Sequence, residues 1–246
     1  MRKYVLIIIQ IIADTILIAT GEPYENGKKT EIIDLLDPAN QFELSNDYNE
    51  SVISRSVGGT LQDQLYIFGG VRHEDFLKDV LVIGQPNSTT KLQMLQNRSQ
   101  ASSVILNDST FWVVGGERRN SQNDSIEDLT STEFISRGQP PKPGPDLPFS
   151  ISNHGMVQCG SASIYIIGGW QNGSESKATW IVNPVKDFHV RPGPSLNLAR
   201  YHHSCGTMEI QGRTVIIVAG GWHEDTVELL DPLSNKGWIY GTNPKI

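Results

Sequence analysis

Four short segments of the sequence share one pattern, a continuous apolar run closed by two glycines. They are residues 64–70 (QLYIFGG), 110–116 (TFWVVGG), 163–169 (SIYIIGG) and 215–221 (VIIVAGG). Each run is too short for an ordinary helix and is rich in β-branched and aromatic residues, which predicts a strand buried on both faces. The two glycines predict positive φ angles, or a close approach of another backbone segment, where each strand ends.

A fifth, degenerate copy covers residues 15–21 (TILIATG), in which Thr20 replaces the first glycine. Measured at the last glycine, the copies are 49 (21 to 70), 46 (70 to 116), 53 (116 to 169) and 52 (169 to 221) residues apart. A period near 50 residues is typical of a propeller blade and too long for most helical repeats. The glycines to which the repeat assigns a structural role are Gly21, Gly69, Gly70, Gly115, Gly116, Gly168, Gly169, Gly220 and Gly221.

The rest of each period also predicts strands. A further run that ends in a proline turn follows the glycines at residues 31–38, 79–86, 178–184 and 226–232. A fourth strand is expected at 187–190 and 237–240, and Gly-Pro loops lead to the first strand of the next repeat, such as 154–157. Proline cannot donate to a strand ladder, so it ends these runs. We predict an all-β protein with four strands per repeat.

The combination resembles the kelch-repeat family over residues 14–246. The shared motifs are the glycine pair, the segment 227–232 (VELLDP), and the linker that runs from Gly193-Pro194 through Arg200 to His203. The resemblance implies a kelch-type β-propeller, in which Arg200 and His203 have structural roles in the linker. Two features depart from the family pattern: the first copy lacks a full glycine pair, and residues 128–138 form an irregular stretch where the third repeat should carry its Asp-Pro turn.

The amino terminus predicts a secretory signal peptide over residues 1–13. Arg2 and Lys3 precede an apolar run, and Ala13 supplies a small residue for cleavage. A membrane anchor is the competing interpretation, but Gln10 and Asp14 interrupt a run that would need about 20 apolar residues. We therefore expect a secreted protein with no stable membrane anchor.

Removal of residues 1–13 leaves nineteen predicted strands, one short of five complete blades. The chain could form a tight five-bladed ring with a three-stranded first blade, an open arc, or part of a longer propeller. We favour about five blades with an incomplete first blade and incomplete closure. Unpaired edges would then allow self-association.

Six Asn-x-Ser/Thr motifs support export, because they mark acceptor sites for N-glycosylation in secreted proteins. They begin at Asn49, Asn87, Asn97, Asn107, Asn123 and Asn172, and all fall between apolar runs. We expect them on exposed loops or strand edges.

The net charge, the cysteines and the histidines argue against several classes of partner and site. The 246 residues carry a formal charge of −7, which disfavours nucleic acid as a partner. Cys159 and Cys205 belong to the first strands of neighbouring repeats, and their offset favours buried thiols over a disulfide. No metal-ligand spacing occurs in the sequence, and adjacent His202 and His203 should point to opposite sides of a strand. We predict no cofactor.

The kelch resemblance implies partner binding by the loops that follow the glycine pairs and by the linkers between blades. Arginine and tryptophan in such loops are frequent binding hot spots. The candidate partner-binding residues are Arg72, His73, Arg118, Arg119, Trp170, Trp222 and His223.

These features predict a secreted, non-enzymatic binding module with a protein or glycan partner. The alternative is an enzyme, or part of one, of the galactose-oxidase-like copper oxidase type, which resembles this chain in its blades. A third interpretation, an intracellular actin-binding or ubiquitin-adaptor kelch protein, would not carry a signal peptide. No Gly-x-Ser-x-Gly motif and no phosphate-binding loop occurs in the sequence.

Overall fold

A computed structural model gives the architecture of the chain. It describes residues 8–12, 15–19, 30–34, 41–43, 55–62, 64–82 and 92–241, the first four ranges as backbone strands only. Every regular element in these ranges is a β-strand, and neighbouring strands pair antiparallel. The prediction of an all-β protein is therefore confirmed.

The strands follow one another in five consecutive groups. The first is β1 (Ile8–Ile12), β2 (Thr15–Ala19), β3 (Thr30–Asp34) and β4 (Gln41–Glu43). The second is β5 (Val57–Leu61), β6 (Gln64–Phe68), β7 (Val71–Arg72), β8 (Asp75–Phe76) and β9 (Val80–Val82). The third is β10 (Ser102–Leu106), β11 (Thr110–Val114), β12 (Glu117–Arg119), β13 (Ile126–Asp128), β14 (Thr132–Ser136) and β15 (Lys142–Pro143). The fourth is β16 (Ile151–Ser152), β17 (Gly155–Cys159), β18 (Ser163–Ile167), β19 (Trp170–Gln171), β20 (Ser174–Glu175), β21 (Thr179–Asn183) and β22 (His189–Pro192). The fifth is β23 (Ser204–Ile210), β24 (Arg213–Ala219), β25 (Val227–Leu230) and β26 (Ile239–Tyr240).

Each group builds one main sheet in chain order. Sheets one, three, four and five have four strands: β1-β2-β3-β4, β10-β11-β14-β15, β17-β18-β21-β22 and β23-β24-β25-β26. The second sheet has three strands in the described ranges, β5-β6-β9. The short pairs β7-β8 and β12-β13, and the set β16-β19-β20, lie in the connections that follow or precede the glycine pairs.

All four glycine-terminated runs form the second strand of a sheet, as predicted, and all eight of their glycines have positive φ. Gly168 shows why glycine is required. Its φ is +58°, and a Cβ atom there would lie 2.6 Å from the carbonyl oxygen of Arg200. The backbone of the following linker therefore occupies the space that a side chain would need.

Successive sheets pack face to face through alternate residues of these second strands. In β11, Phe111 and Val113 join a core with the second sheet, whereas Trp112 and Val114 join a core with the fourth. A third core joins the fourth and fifth sheets, for example through Tyr165. The first strands of successive sheets are also in contact, β5 with β10, β10 with β17, and β17 with β23. The sheets therefore stand side by side in chain order.

Buried ion pairs fix two of the junctions between sheets. Arg200 precedes the fifth sheet and donates to Glu228 Oε1 at 2.8 Å, and both side chains are fully buried. It also donates to the carbonyls of Gly220 at 2.6 Å and Thr226 at 3.1 Å, and to Thr226 Oγ1 at 3.0 Å. Arg200 thus ties its linker to the third strand and to the glycine pair of the next sheet.

The junction before the third sheet repeats this arrangement. Arg98 donates to Glu133 Oε1 at 2.6 Å and to the carbonyl of Gly115 at 2.6 Å. Glu133 in turn accepts the backbone N–H of Leu95 at 2.6 Å. At the Arg200 junction Glu228 accepts the backbone N–H of Asn197 at 2.7 Å. The same four roles, arginine, glutamate, glycine carbonyl and linker N–H, are therefore filled at both junctions.

The junction before the fourth sheet fills the same positions without charge. Leu147 in this linker and Leu196 in the linker before the fifth sheet donate their N–H groups to equivalent carbonyls. By this equivalence, Ile151 corresponds to Arg200 and Pro148 corresponds to Asn197. Trp180 stands at the position of Glu228 and stacks on Phe149, with ring centroids 4.6 Å apart. Pro148 has no N–H group, so the absence of a glutamate leaves no backbone donor unpaired at residue 148.

Residues 128–138 are more regular than expected. Thr132–Ser136 form the full third strand β14, paired with β11 from Thr110↔Ser136 to Val114↔Thr132. The prediction of an irregular stretch is wrong, because a turn at Arg137-Gly138 ends this strand in place of an Asp-Pro turn. Gly138 has φ +69°, which supplies the reversal.

The first sheet also differs from the expectation of three strands. In the uncleaved chain Ile8–Ile12 pairs with Thr15–Ala19, from Ile8↔Ala19 to Ile12↔Thr15, and completes a four-stranded sheet. The segment assigned to the signal peptide is thus apolar and β-branched enough to form a strand. Cleavage after Ala13, which stays a prediction, would remove β1 and leave β2 without this partner.

One face of the fifth sheet is less covered than its equivalents. Tyr165 and Ile167 in the fourth sheet are 5% and 0% exposed, whereas Ile217 and Ala219, at the same positions before the glycine pair, are partly exposed. On the same sheet Met208 is 45% exposed and Ile239 51%. An apolar surface that the next sheet covers elsewhere is therefore partly open here.

Candidate interaction surface

The linkers meet at the end of the sheets that carries the glycine pairs. Arg55, Gln100, Asn153 and His202 each lie two residues before a first strand, and all have left-handed φ angles between +53° and +57°. Gln100 N–H donates to the Arg55 carbonyl at 2.8 Å, Asn153 N–H to that of Gln100 at 2.9 Å, and His202 N–H to that of Asn153 at 3.1 Å. We call these four residues the linker relay. It holds four successive linkers together at one end of the molecule.

The two ends of the relay interact electrostatically. Partial desolvation of the His202 ring lowers its pKa, and the positive charge of Arg55, at the other end of the relay, lowers it further.

Glu117 fixes one side of the relay. Its buried carboxylate accepts hydrogen bonds from Gln100 Nε2 at 2.8 Å and Ser99 Oγ at 3.1 Å, and Arg55 lies 3.7 Å away. Asp128 stands directly opposite Glu117 in the β12-β13 pair. Burial raises the pKa of Asp128, against the lowering effect of a hydrogen bond from Ser152. The side chains around the relay are thus polar and held in place.

Aromatic rings form a continuous row beside the relay. Tyr201 lies between Trp170, at a centroid distance of 5.4 Å, and Trp222, at 5.9 Å with an interplanar angle of 19°. His202 is 5.0 Å from Tyr201, and His223 is 5.2 Å from Trp222. We call Trp170, Tyr201 and Trp222 the aromatic row. Its rings are partly exposed, whereas His202 and His223 are exposed.

The structure therefore brings together three of the predicted partner-binding residues, Trp170, Trp222 and His223. Tyr201 and His202, which complete the cluster, are absent from the predicted set. Their positions depend on the left-handed turn of the linker at His202, and histidine adopts that conformation more often than most residues but too rarely for the sequence to predict it.

The predicted arginines occupy a different part of this end. Arg118 donates to Glu127 Oε1 at 2.6 Å and to Gln96 Oε1 at 3.0 Å. Arg119 lies 3.1 Å from Asp124. Both are partly exposed, so each presents a charge that its own loop partly neutralises. Arg72 and His73 lie in and beside the β7-β8 hairpin of the second sheet, with His73 exposed.

The asparagines of the glycosylation motifs differ in their exposure to solvent. Asn107, Asn123 and Asn172 are exposed, as expected. Asn97 is only partly exposed, because its neighbours Arg98 and Ser99 are anchored in the junction and at Glu117. Asn49 and Asn87 lie outside the described residues.

Two histidines are buried at equivalent linker positions, directly before the first strands of sheets four and five. Both ring nitrogens of His154 are buried without a hydrogen-bond partner among the described residues. Burial, and then the neighbouring charge of His203, lowers the pKa of His154 to about 3. Burial, followed by the charge of Arg200, lowers the pKa of His203 to about 3. Adjacent His202 and His203 thus lie in different environments, the first exposed and the second with its ring nitrogens enclosed.

These histidines predict a loss of stability in acid. Because the folded pKa values lie below the ordinary 6.5, folding favours the neutral rings, and the stability present above pH 6.5 is lost as the pH falls towards 3. Each histidine should contribute a slope of up to about 1.4 kcal/mol per pH unit in this window. Urea unfolding at pH 7, 6 and 5 measures this dependence of the free energy of unfolding on pH. His154→Leu should lower the slope by up to the contribution of one proton. Equal free energies of unfolding at pH 7 and 5 would contradict the assignment.

The two cysteines are free. Cys205 Sγ contacts the carbonyl oxygen of Met156 at 3.5 Å, and burial raises the pKa of this thiol to about 12. Burial, and then the charge of Glu209, raises the pKa of Cys159. Cys205 packs over Gly155 at the start of β17, whereas Cys159 is at the end of that strand. Both thiols therefore stay protonated at neutral pH.

Within the described ranges, no three His, Cys, Asp or Glu side chains come together as a metal-ligand set. In the same part of the chain, no helix has the length and apolarity needed to cross a membrane. The chain matches no protein-family model and no curated protein sequence. Its function is therefore proposed from its own residues.

Proposed function

We propose that this protein is a secreted, non-enzymatic binding module of the kelch-repeat propeller type. It presents the glycine-pair end of its sheets to a protein or glycan partner. The observation that carries the proposal is the linker relay, which gathers loops from successive sheets at one end of the molecule. Loops on a rigid β-scaffold are a frequent location for binding residues.

Three features support the propeller part of the proposal. The sheets stand side by side in chain order, with a hydrophobic core between the second and third, the third and fourth, and the fourth and fifth. Their first strands are neighbours, as expected for innermost strands around an axis. Backbone hydrogen bonds of the relay also join the linkers that precede four successive sheets. About five repeats around one axis would account for all three.

The residue types at the glycine-pair end of the sheets favour binding over catalysis. The aromatic row and the two arginines of β12 are residue types enriched at protein interfaces. Arg118 and Arg119 have side-chain exposures of 40% each, which leaves them accessible beside their acidic partners. The partly open face of the fifth sheet offers a second, apolar surface, consistent with self-association.

Site-specific photocrosslinking tests the proposal. A benzoylphenylalanine at Ser121, exposed in the loop that follows Arg118 and Arg119, should crosslink a partner from extracellular fluid, whereas the same side chain at Ala162, in the exposed hairpin at the opposite end, should not. Arg118→Ala with Arg119→Ala should lower capture at least about 5-fold. The two ion pairs are exposed, so stability should change by less than about 1 kcal/mol.

Two results would overturn this function. Equal crosslinking from positions 121 and 162 would remove the argument for a binding end. Stoichiometric copper in protein purified from a secreting host would favour the alternative of a copper oxidase.

A further inference from the structure

We propose that an N-linked glycan at Asn107 folds back into a cleft between the third and fourth sheets, where its first N-acetylglucosamine packs on aromatic rings. The inference rests on the proposed function for export alone, because N-glycosylation belongs to secreted proteins. It goes further in giving one glycosylation motif a binding site on the protein itself.

The cleft lies at the hairpin end of the sheets, opposite the glycine pairs. Its volume is about 450 Å³, within the range of about 300–1,000 Å³ that is typical of small-ligand sites. Asn107 and Phe134 line it from the third sheet, and Gln158, Ser161 and Phe188 line it from the fourth. Every side chain of the lining is uncharged. The cleft therefore suits an uncharged occupant.

Aromatic rings form the floor of the cleft. The ring of Phe188 lies between the two sheets, with its centroid 4.8 Å from that of Trp112 and 5.4 Å from that of Phe134. Its φ of +54° is unfavourable for a bulky residue, so the packing of the ring holds this turn in place. Phe134 and Phe188 are both partly exposed, which leaves part of each ring accessible from the cleft.

An N-acetylated sugar matches this lining in chemistry. The C–H groups of a pyranose ring and the methyl of an N-acetyl group are apolar and pack on aromatic rings, whereas the hydroxyl and amide groups need hydrogen-bond partners. In the described part of the chain, no residue forms a hydrogen bond with the side chain of Gln158 or Ser161. Both polar groups are therefore available to the sugar.

Asn107 would hold the sugar at the cleft. It begins the motif Asn107-Asp108-Ser109, is exposed, and lines the cleft. A sugar attached to it stays beside the rings at an effective concentration in the millimolar range. A contact too weak to capture a free sugar from solution is then well populated.

Asn172 offers a matched control for Asn107. Each residue is exposed and begins a hairpin turn directly after a strand, and their φ angles are +53° and +51°. Asn172 belongs to the β19-β20 hairpin at the glycine-pair end and does not line the cleft. A difference between the glycans at these two residues therefore reports on the cleft and not on the turn.

Enzymatic release of the glycans from the native chain tests the inference. The full chain is secreted from cells that make uniform high-mannose glycans and is digested with peptide N-glycosidase F, and mass spectrometry follows release at each asparagine. Release at Asn107 should be at least about 10-fold slower than at Asn172, because a sugar packed in the cleft is shielded from the enzyme. In the heat-denatured chain the two rates should be equal.

Two variants assign the difference to the cleft. Phe188→Asn removes the ring, and asparagine tolerates the left-handed turn, so this variant should abolish most of the difference between the two sites. Gln158→Ala removes an amide that no described residue bonds, and it should speed release at Asn107 by about 2- to 5-fold. If Phe188→Asn speeds release at both sites, the fold has loosened and Gln158→Ala decides.

Three results would overturn the inference. They are equal native rates at Asn107 and Asn172, a slow rate at Asn107 that Gln158→Ala leaves unchanged, and secreted protein that carries a glycan at Asn172 but none at Asn107. If crosslinking from Ser121 persists alongside any of these results, the proposed function stands and this inference fails.

Discussion

Arg200→Leu is expected to lower the free energy of unfolding by about 3–5 kcal/mol. The substitution removes a fully buried guanidinium and leaves Glu228 fully buried without its counter-charge. It also removes the donors to the carbonyls of Gly220 and Thr226. Urea unfolding at pH 7, followed by tryptophan fluorescence, measures the change.

Two comparisons decide whether the buried pair is responsible. Arg98→Leu should cause a similar loss, because Arg98 and Glu133 are equally enclosed, with side chains 0% and 1% exposed. Arg213→Ala breaks an ion pair of similar length, 2.9 Å to Asp231, but its side chain is 64% exposed. That loss should stay below about 1 kcal/mol. If Arg200→Leu also fell within this range, the ion pair would not be what fixes the junction.

The junction before the fourth sheet indicates that the buried arginine and glutamate can be replaced only together. Ile151 and Trp180 replace the arginine and the glutamate together, and Phe149 fills the space beside the tryptophan. Pro148 replaces the residue whose N–H the glutamate would accept. A buried charge left alone is strongly unfavourable, whereas an apolar group of suitable shape is tolerated. Single substitutions at the charged junctions should therefore be far more damaging than this natural difference suggests.

The sheets could be predicted from the sequence because their signals are local. Each second strand is a run of apolar β-branched and aromatic residues, and the glycine pair marks its end regardless of distant contacts. The turn at Arg137-Gly138 was missed because it reverses the chain without the Asp-Pro signal of the other repeats. It depends on one glycine with φ +69°.

The candidate surface was only partly predictable. Tryptophan and arginine after the glycines are visible in the sequence, but their grouping is not. The β12-β13 register places Glu127 opposite Arg118, so the arginines face their own carboxylates. The linker relay depends on left-handed φ angles at Arg55 and Gln100, residue types that rarely adopt this conformation. Only tertiary hydrogen bonds between linkers select it.

Gly168→Ala is expected to lower the free energy of unfolding by about 2–5 kcal/mol, from two causes. A left-handed φ of +58° costs a residue with a Cβ atom about 1–2 kcal/mol. The added methyl group would also lie 2.6 Å from the Arg200 carbonyl oxygen and 2.9 Å from His203 Cε1, and such overpacking costs about 1–3 kcal/mol. Urea unfolding at pH 7 again supplies the measurement.

Two other glycines separate the causes. Gly160 has φ +67°, but a Cβ atom there meets nothing within 4 Å, so Gly160→Ala should show only the conformational cost of about 1–2 kcal/mol. Gly206 has neither a left-handed φ nor a neighbour within 4 Å. Gly206→Ala should therefore be neutral, or stabilising by up to about 1 kcal/mol through the unfolded chain. Equal losses for Gly168→Ala and Gly160→Ala would mean that the linker backbone does not press on the glycine pair. The close contact between each linker and the preceding sheet would then contribute nothing to the free energy of unfolding.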